Sequence, residues 1–270
     1  MDELAQRIAV WQCRPGPLDV DGNLRRLAGA CAVAATRGAD VLVTPEMFTT
    51  GYAITRADVV RLAEDAGGPT ETAVAGLARR HQIGIAYGYP ERAPDGAYNA
   101  ATLVGPDGTV RGRHRKVHLY GEVDRDQFLA SPAPPAAFDV DGTRTGLLIC
   151  YDVEFPEAVR HLAADGARTV LVPTANMTGC EQVQEFLVRA RACENGVSIA
   201  YANYCGADDG FTYNGMSMIC GPGGEVLAQA GLDGEELIVA DLPAGSAGTY
   251  LADRRADLYA PPMGAVLGRL

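Results

Sequence analysis

Short apolar runs and amphipathic stretches alternate along the first half of the chain. The run RIAVWQC predicts a buried strand, and the periodic stretch NLRRLAGACAVAATRGAD predicts a helix that is capped by Asn23 and stops at Gly38. The run VLVTPEM predicts a second strand, which ends at Pro45. TETAVAGLARRHQ then predicts a helix, IGIAYGYPE a third strand, and YNAATLVGPDGTVRGRHRK a hairpin that turns at residues 106–108. This alternation is typical of α/β proteins.

The second half of the chain repeats the plan of the first. GADVLVTPEM (38–47) matches GARTVLVPTA (166–175), and each segment follows a helical stretch and ends a strand at a proline. DGAYNAATLVGPDGTV (95–110) likewise resembles DGFTYNGMSMICGPGGEV (209–226). Two matches in the same order indicate two similar α/β halves. We therefore predict one domain over residues 1–270, a four-layer α-β-β-α sandwich of two pseudo-symmetric halves with the helices outside.

Composition narrows the class of protein. A formal net charge of −11 argues against a nucleic-acid partner, which would require a basic surface. No run approaches the roughly 18 apolar residues of a membrane span, and the acidic start MDELAQ is unlike a signal peptide, so we expect a cytoplasmic protein. The seven cysteines include no CxxC pair, so neither a metal site nor a disulfide framework is expected.

One cysteine lies where α/β enzymes place a nucleophile. The apolar run 147–149 leads to Cys150, and a helix is predicted after it from Pro156 to a stop at Gly166. A side chain on such a strand-to-helix turn is held exposed, and nearby backbone N–H groups can receive an oxyanion. The alternative is a buried structural thiol, which is the usual role of a single cysteine.

A cysteine nucleophile needs a base and a positive charge nearby. Glu46 directly follows a predicted buried strand, although a solvated loop glutamate fits the same position. Lys116 is the only lysine beside 22 arginines; it supplies a compact point charge where a guanidinium is larger and shaped for bidentate pairing, or it is accidental. A Cys-His pair with His114, His118 or His161 is the alternative, and His161 would lie along the helix, away from the turn.

Three segments in order, PEMFTTGY, HRKVHLYGE and LLICYDVEFPE, resemble the signatures of the carbon–nitrogen hydrolase (nitrilase) superfamily. The resemblance covers nearly the whole chain, including VPTANM, RACENGVSIAYAN and YLADRRADLY. It implies that Glu46, Lys116 and Cys150 form the catalytic set. It also implies a supporting carboxylate near the lysine, for which we choose Glu122, with Asp124 as the alternative.

The resemblance further implies an amidase that forms a thioacyl-enzyme and needs no metal or organic cofactor. The backbone N–H of Tyr151 would help Lys116 to hold the oxyanion, and the predicted substrate-binding residues are Tyr52, Tyr151, Asn176 and Met177. GYPER, HLYGEVDR, VPTANM and YANYCGADD resemble the branch of bacterial 5-aminopentanamidases (δ-aminovaleramidases) and related aliphatic amidases. We therefore expect an ω-amino amide substrate, whose ammonium would meet an acidic mouth of Glu122, Asp124, Asp208 and Asp209.

Other activities of the superfamily stay open. They are hydrolysis of N-carbamoyl amines, of nitriles, or of dicarboxylic monoamides by an ω-amidase; the last would use an arginine such as Arg125. A non-catalytic interaction platform is the alternative from another class, and the intact Glu-Lys-Cys set argues against it. The resemblance also implies a homodimer or larger even-numbered oligomer. Residues 244–270 are rich in small residues and loosely patterned, and we predict that they extend over a partner subunit.

Overall fold

The computed structural model of the protein describes residues 6–243 and 250–259, which form fourteen strands and eight α-helices. The strands are β1 (Gln6–Gln12), β2 (Val41–Val43), β3 (Gly84–Ala93), β4 (Gly96–Val104), β5 (Val110–Arg115), β6 (Ala137–Val140), β7 (Thr143–Leu147), β8 (Thr169–Pro173), β9 (Ser198–Ala202), β10 (Cys205–Ala207), β11 (Thr212–Asn214), β12 (Met218–Cys220), β13 (Val226–Gln229) and β14 (Glu236–Leu242). The helices are α1 (Val20–Thr36), α2 (Arg56–Leu62), α3 (Pro69–His81), α4 (Gly121–Gln127), α5 (Pro156–Ala164), α6 (Val188–Asn195), α7 (Tyr250–Asp253) and α8 (Ala256–Tyr259).

Two six-stranded sheets share one topology. The first has the order β14-β1-β2-β3-β4-β5, and the second, read in the same direction, has β6-β7-β8-β9-β12-β13. In each sheet three consecutive strands are parallel, β1 to β3 and β7 to β9, and every other strand pairs antiparallel with its neighbour. The predicted pseudo-symmetry of the two halves is therefore confirmed.

Strand β1 shows how the layers stack. Ile8 and Val10 lie in the apolar cluster between the two sheets, with Leu147 and Leu171 of the second sheet. The alternate residues Ala9 and Trp11 pack on the other face, where α1 and α3 cover the sheet. Because both faces are buried, the strand reads as a continuous apolar run. Helices α5 and α6 cover the second sheet in the same way, which confirms the four-layer α-β-β-α sandwich.

One predicted helix start is wrong. Helix α1 begins at Val20, and the Asp19 carboxylate caps it by accepting the N–H of Gly22 at 2.9 Å. Asn23 lies inside the helix, where its amide donates to the carbonyl oxygens of Gly16 and Thr49 at 2.6 and 3.1 Å. The predicted stop at Gly38 is confirmed, because this residue follows the helix with φ +72°.

Part of the predicted interface segment lies outside the described residues. Residues 244–249 and 260–270 belong to this part, so the extension of 244–270 over a partner subunit stays a prediction. Within the described ranges, none of the helices has both the length and the apolar character that crossing a membrane requires.

Candidate active site

Cys150 lies on the turn between strand β7 and helix α5, as the sequence predicts. It begins a short 3-10 helix, Cys150–Glu154, and its φ of +46° is in the left-handed region that is unusual for a residue with a side chain. Such a conformation costs on the order of 1–3 kcal/mol and persists only where neighbours fix it. Asp152 contributes by accepting the N–H of Ile149 at 3.2 Å. Cys150 taken as a whole residue is partly buried.

Lys116 is buried between two carboxylates from different segments. Its Nζ donates to Glu46 Oε1 at 2.7 Å and to Asp124 Oδ2 at 2.6 Å, and none of the three side chains is exposed. Glu46 follows strand β2, Lys116 follows β5 and Asp124 lies in α4. An ammonium has three N–H donors, so one donor is left for another acceptor.

Glu46 presents two unequal oxygens. Oε1 accepts from Lys116 and also from Asn99 Nδ2 at 2.7 Å, whereas Oε2 is buried and has no partner in the described part of the chain. Burial raises the pKa of this carboxyl, the Lys116 charge opposes the rise, and the Asp124 charge adds to it. Oε2 is thus the oxygen that can exchange a proton with a reacting group.

The electrostatics assign the protons of the site. Burial lowers the pKa of Lys116, but the charges of Glu46 and Asp124 more than offset this, and the net pKa is well above the usual value. Burial, with the charge of Glu46, raises the pKa of the Cys150 thiol well above its usual value, while Lys116 opposes the rise. The site therefore holds an ammonium and a protonated thiol, and the thiol needs a base before it can attack.

The expectation that Glu122 supports the lysine is corrected. The Glu122 side chain is 85% exposed and contacts Arg125 at 3.4 Å, away from Lys116. Asp124, the alternative, contacts Lys116 and accepts the Tyr52 hydroxyl at 2.9 Å and the Tyr120 N–H at 2.8 Å. Residues two apart on a helix point to different sides, so only one of these acids can face the lysine.

The four residues predicted for substrate binding have different environments. Tyr52 is buried, with its hydroxyl on Asp124, and so supports the lysine partner. The Asn176 amide donates to Gln184 Oε1 at 2.9 Å and to a backbone carbonyl, so its N–H groups are taken within the protein. Tyr151 and Met177 are partly buried, which is compatible with lining a pocket. Their contact with substrate stays a prediction.

Asp152 was not singled out from the sequence, yet it joins the lysine segment to the cysteine turn. Its oxygens accept from the ring nitrogens of His114 and His118, which flank Lys116, at 2.9 and 2.8 Å, and from the His118 backbone N–H at 2.8 Å. Burial alone would raise its pKa, but these hydrogen bonds hold it below the usual range. The two histidines bind Asp152, and this leaves the Cys-His alternative without support. His161 is exposed on α5.

Glu154 is a second residue that the sequence did not identify as part of the site. It ends the turn that Cys150 begins, is partly buried, and its carboxylate forms no ion pair with any residue that the structure describes. Burial raises its pKa to about 7, against the charges of Lys116 and Arg191. Its charge in turn raises the pKa of Cys150 and of Tyr120. Its place within CYDVE was the only signal available.

The four acids predicted to form an acidic mouth have different environments. Asp124 is buried against Lys116, Glu122 points outward, and Asp208 accepts the Tyr213 hydroxyl at 2.8 Å. Asp209 lines a cavity of about 440 Å³ together with Phe211, whose ring packs on Tyr52. Of these four acids, Glu122 and Asp209 are exposed, and Asp208 is partly buried with its Oδ1 unpartnered among the described residues.

Comparisons with known proteins show the family of the chain. The family model for carbon-nitrogen hydrolase matches residues 7–251. The "hydrolase in pqqF 5′ region" of Pseudomonas protegens is 46% identical over 260 residues, which cover 94% of this chain and 90% of that protein. An (R)-stereoselective amidase of Pseudomonas sp is 35% identical over 246 residues, 88% of this chain and 87% of that protein.

Solved structures give the same result. A mutant of the amidase from Nesterenkonia sp. AN1, with acrylamide added at its active-site cysteine, matches with a TM-score of 0.85 and 38% identity, covering 94% of this chain and 98% of that one. Another mutant of that amidase, in complex with butyramide, matches with a TM-score of 0.83 and 37% identity, covering 94% and 96%. At these identities the likeness extends beyond the fold.

Proposed function

The chain belongs to the carbon–nitrogen hydrolase family and is a hydrolase of carbon–nitrogen bonds, and from this premise we propose that it converts a small aliphatic amide to a carboxylic acid and ammonia through a thioester on Cys150. The observation that carries the proposal is the buried Lys116, whose ammonium bonds Glu46 Oε1 and leaves Oε2 without a partner among the described residues. One side chain thus supplies charge and another supplies a base.

The first half of the reaction forms the acyl-enzyme. Glu46 Oε2 takes the Cys150 proton as sulfur attacks the carbonyl carbon, and the remaining N–H of Lys116 with the Tyr151 backbone N–H holds the oxyanion. Glu46 then gives the proton to the amide nitrogen, the C–N bond breaks, and ammonia leaves. The thioester and an ionised Glu46 remain.

The second half restores the enzyme. Glu46 takes a proton from water, the hydroxide attacks the thioester, and Lys116 again holds the oxyanion. The C–S bond breaks, the thiolate recovers the proton from Glu46, and the carboxylic acid leaves. The high pKa of Cys150 suits this cycle, because the free enzyme keeps the thiol protonated until the base acts.

We further propose that the substrate is an ω-amino amide such as 5-aminopentanamide. Glu154 supports this choice, because it is a partly buried residue at the end of the turn that Cys150 begins, and its carboxylate has no ion-pair partner in the described ranges. A substrate ammonium would supply the missing partner, and an ionised hydrogen bond of this kind contributes about 1.5–3 kcal/mol.

The ω-amidase alternative has less support from the contacts. A dicarboxylic monoamide needs a cation at the far end of the site, but Arg125 is 57% exposed and contacts Glu122. Carbamoylated amines and nitriles use the same nucleophile and base, so turnover decides among them. Assembly into an even-numbered homo-oligomer and a cytoplasmic location also stay predictions.

Ammonia release tests the proposal. We would assay 5-aminopentanamide, its isostere hexanamide, glutaramate and a carbamoylated diamine with the wild type, Cys150→Ala and Glu154→Gln. We expect the amino amide to be preferred over hexanamide by about 10-fold or more in kcat/KM, and Glu154→Gln to remove that preference. If the enzyme prefers glutaramate or the carbamoylated diamine, the proposed substrate is wrong and the preferred compound takes its place. Turnover by Cys150→Ala would refute the mechanism.

A further inference from the structure

Asn99 forms hydrogen bonds with both Glu46 and Lys116. It lies in the middle of strand β4 and is completely buried. Its Nδ2 donates to Glu46 Oε1 at 2.7 Å, and its backbone carbonyl accepts the N–H of Lys116 at 2.8 Å. Building on the proposed function, we propose that Asn99 is a positioning residue, which holds Glu46 by Oε1 and so leaves Oε2 to serve as the base for Cys150.

The side-chain amide of Asn99 has Glu46 as its hydrogen-bond partner. Its Oδ1 is buried without a partner in the ranges that the structure describes, so the side-chain hydrogen bond to Glu46 is its identified polar contact. Turning the amide over would place Oδ1 against a carboxylate oxygen, so the acceptor fixes the orientation with Nδ2 toward Glu46. Hydrogen bonds to an ionised acceptor are short and strong, in agreement with 2.7 Å.

The internal repeat provides a natural comparison. The pair Tyr98-Asn99 in the first half corresponds to Tyr213-Asn214 in the second, where the sequence segments match. Asn214 is equally buried, but its Oδ1 accepts from the neutral amides of Gln184 and Asn203, each at 2.8 Å. Asn214 therefore belongs to a structural amide network, whereas Asn99 contacts an ionisable group.

The electrostatic surroundings of Glu46 define what Asn99 changes. Several ionisable groups interact electrostatically with this carboxyl. Lys116 and Asp124 shift its pKa, and its charge raises the pKa of Cys150, Tyr52, Tyr201, Tyr204 and Tyr213. Burial and Asp124 raise the pKa of Glu46, while Lys116 and the Asn99 hydrogen bond lower it. Asn99 has no charge at any pH, so its replacement alters the base without adding a titrating group.

The sign of the effect follows. Asn99 stabilises the ionised form of Glu46, so its removal favours the protonated form and raises the pKa of the base. The enzyme is active only when Glu46 is ionised before attack, so the acid limb of kcat/KM must move to higher pH. Loss of one charge-assisted hydrogen bond corresponds to a shift of about one pH unit.

The experiment compares Asn99→Ala with Asn214→Ala in the full-length chain. We would measure kcat/KM for hexanamide from pH 4 to 9, because a pH midpoint does not depend on how much of a preparation is folded. We expect the acid midpoint to rise by about one pH unit in Asn99→Ala and to stay in place in Asn214→Ala, although both lose a buried asparagine. An unmoved midpoint in Asn99→Ala, or an equal shift in both variants, would overturn the proposal.

A second readout needs no amide turnover. The rate of Cys150 alkylation by iodoacetamide depends on removal of the thiol proton by Glu46, so its pH midpoint should rise in Asn99→Ala as well. If no amide is hydrolysed but this midpoint shifts, the role of Asn99 stands and the proposed function fails. If amides are hydrolysed and neither midpoint shifts, the role of Asn99 fails and the proposed function stands.

Discussion

Lys116→Arg keeps the charge of the buried cation but changes its donors. The ammonium lies within 2.7 Å of Glu46 Oε1 and 2.6 Å of Asp124 Oδ2 in a fully buried position. A guanidinium brings five N–H donors where the ammonium has three, and its planar fork pairs bidentately with carboxylates. The acceptor within reach is Glu46 Oε2, which has no partner among the described residues. The arginine would therefore occupy the base.

The magnitude follows from the two functions that are lost together. Loss of an oxyanion donor costs about 100- to 1,000-fold in kcat, and loss of a general base costs about 100- to 10,000-fold. Because residues that act as a unit are not additive, we expect a fall in kcat/KM of at least about 1,000-fold, which is about 4 kcal/mol. The retained charge limits the loss of stability to the overpacking cost of about 1–3 kcal/mol.

The assay is ammonia release from hexanamide and 5-aminopentanamide, with thermal unfolding measured on the same preparations. Arg125→Lys is the matched control, because it makes the opposite exchange at an exposed site and should leave both quantities nearly unchanged. Lys116→Met should lose more stability than Lys116→Arg, about 3–5 kcal/mol, because Glu46 and Asp124 would be left buried without their cation. Activity of Lys116→Arg within about 10-fold of the wild type would refute the reasoning about donors.

Three further predictions concern the carboxylates. Asp124→Asn should lower kcat/KM by about 100-fold or more, since it removes a charge partner of Lys116, whereas Glu122→Gln should have little effect; equal effects in ammonia release would contradict the placement. Asp152→Asn replaces one acceptor oxygen with an NH2 donor that faces N–H groups of the lysine segment. It should lower kcat more than it raises KM, and a change confined to thermal unfolding would limit Asp152 to a structural role. The pKa of Glu154, about 7, lies above its unfolded value, so the stability that Glu154 contributes should be fully present near pH 4 and should be lost as pH rises through 7. Glu154→Gln should remove that loss, about 1–2 kcal/mol after allowance for partial exposure, and parallel curves of wild type and variant in thermal unfolding against pH would rule this out.

The sequence by itself determined the architecture and predicted the three central residues of the site. Strands buried on both faces must be apolar throughout, and helices that cover a sheet must be apolar on one side. The sequence pattern therefore predicts β1 and α5 correctly. The repeated segments predicted the matching topology of the two sheets. Cys150 and Glu46 follow apolar strands and Lys116 is distinguished by its rarity, which made them candidates, and the resemblance to carbon–nitrogen hydrolases joined them into one predicted set.

Tertiary structure decided which side chains accompany those three. Glu122 and Asp124 are equivalent acids in the sequence, and only the rotation of helix α4 turns Asp124 toward Lys116. Asn99, Asp152 and Glu154 gain their roles through contacts between segments 34 to 53 residues apart, or through burial that no pattern specifies. Hydrogen bonds and pKa shifts depend on distance and on exclusion of water, which are properties of the folded chain.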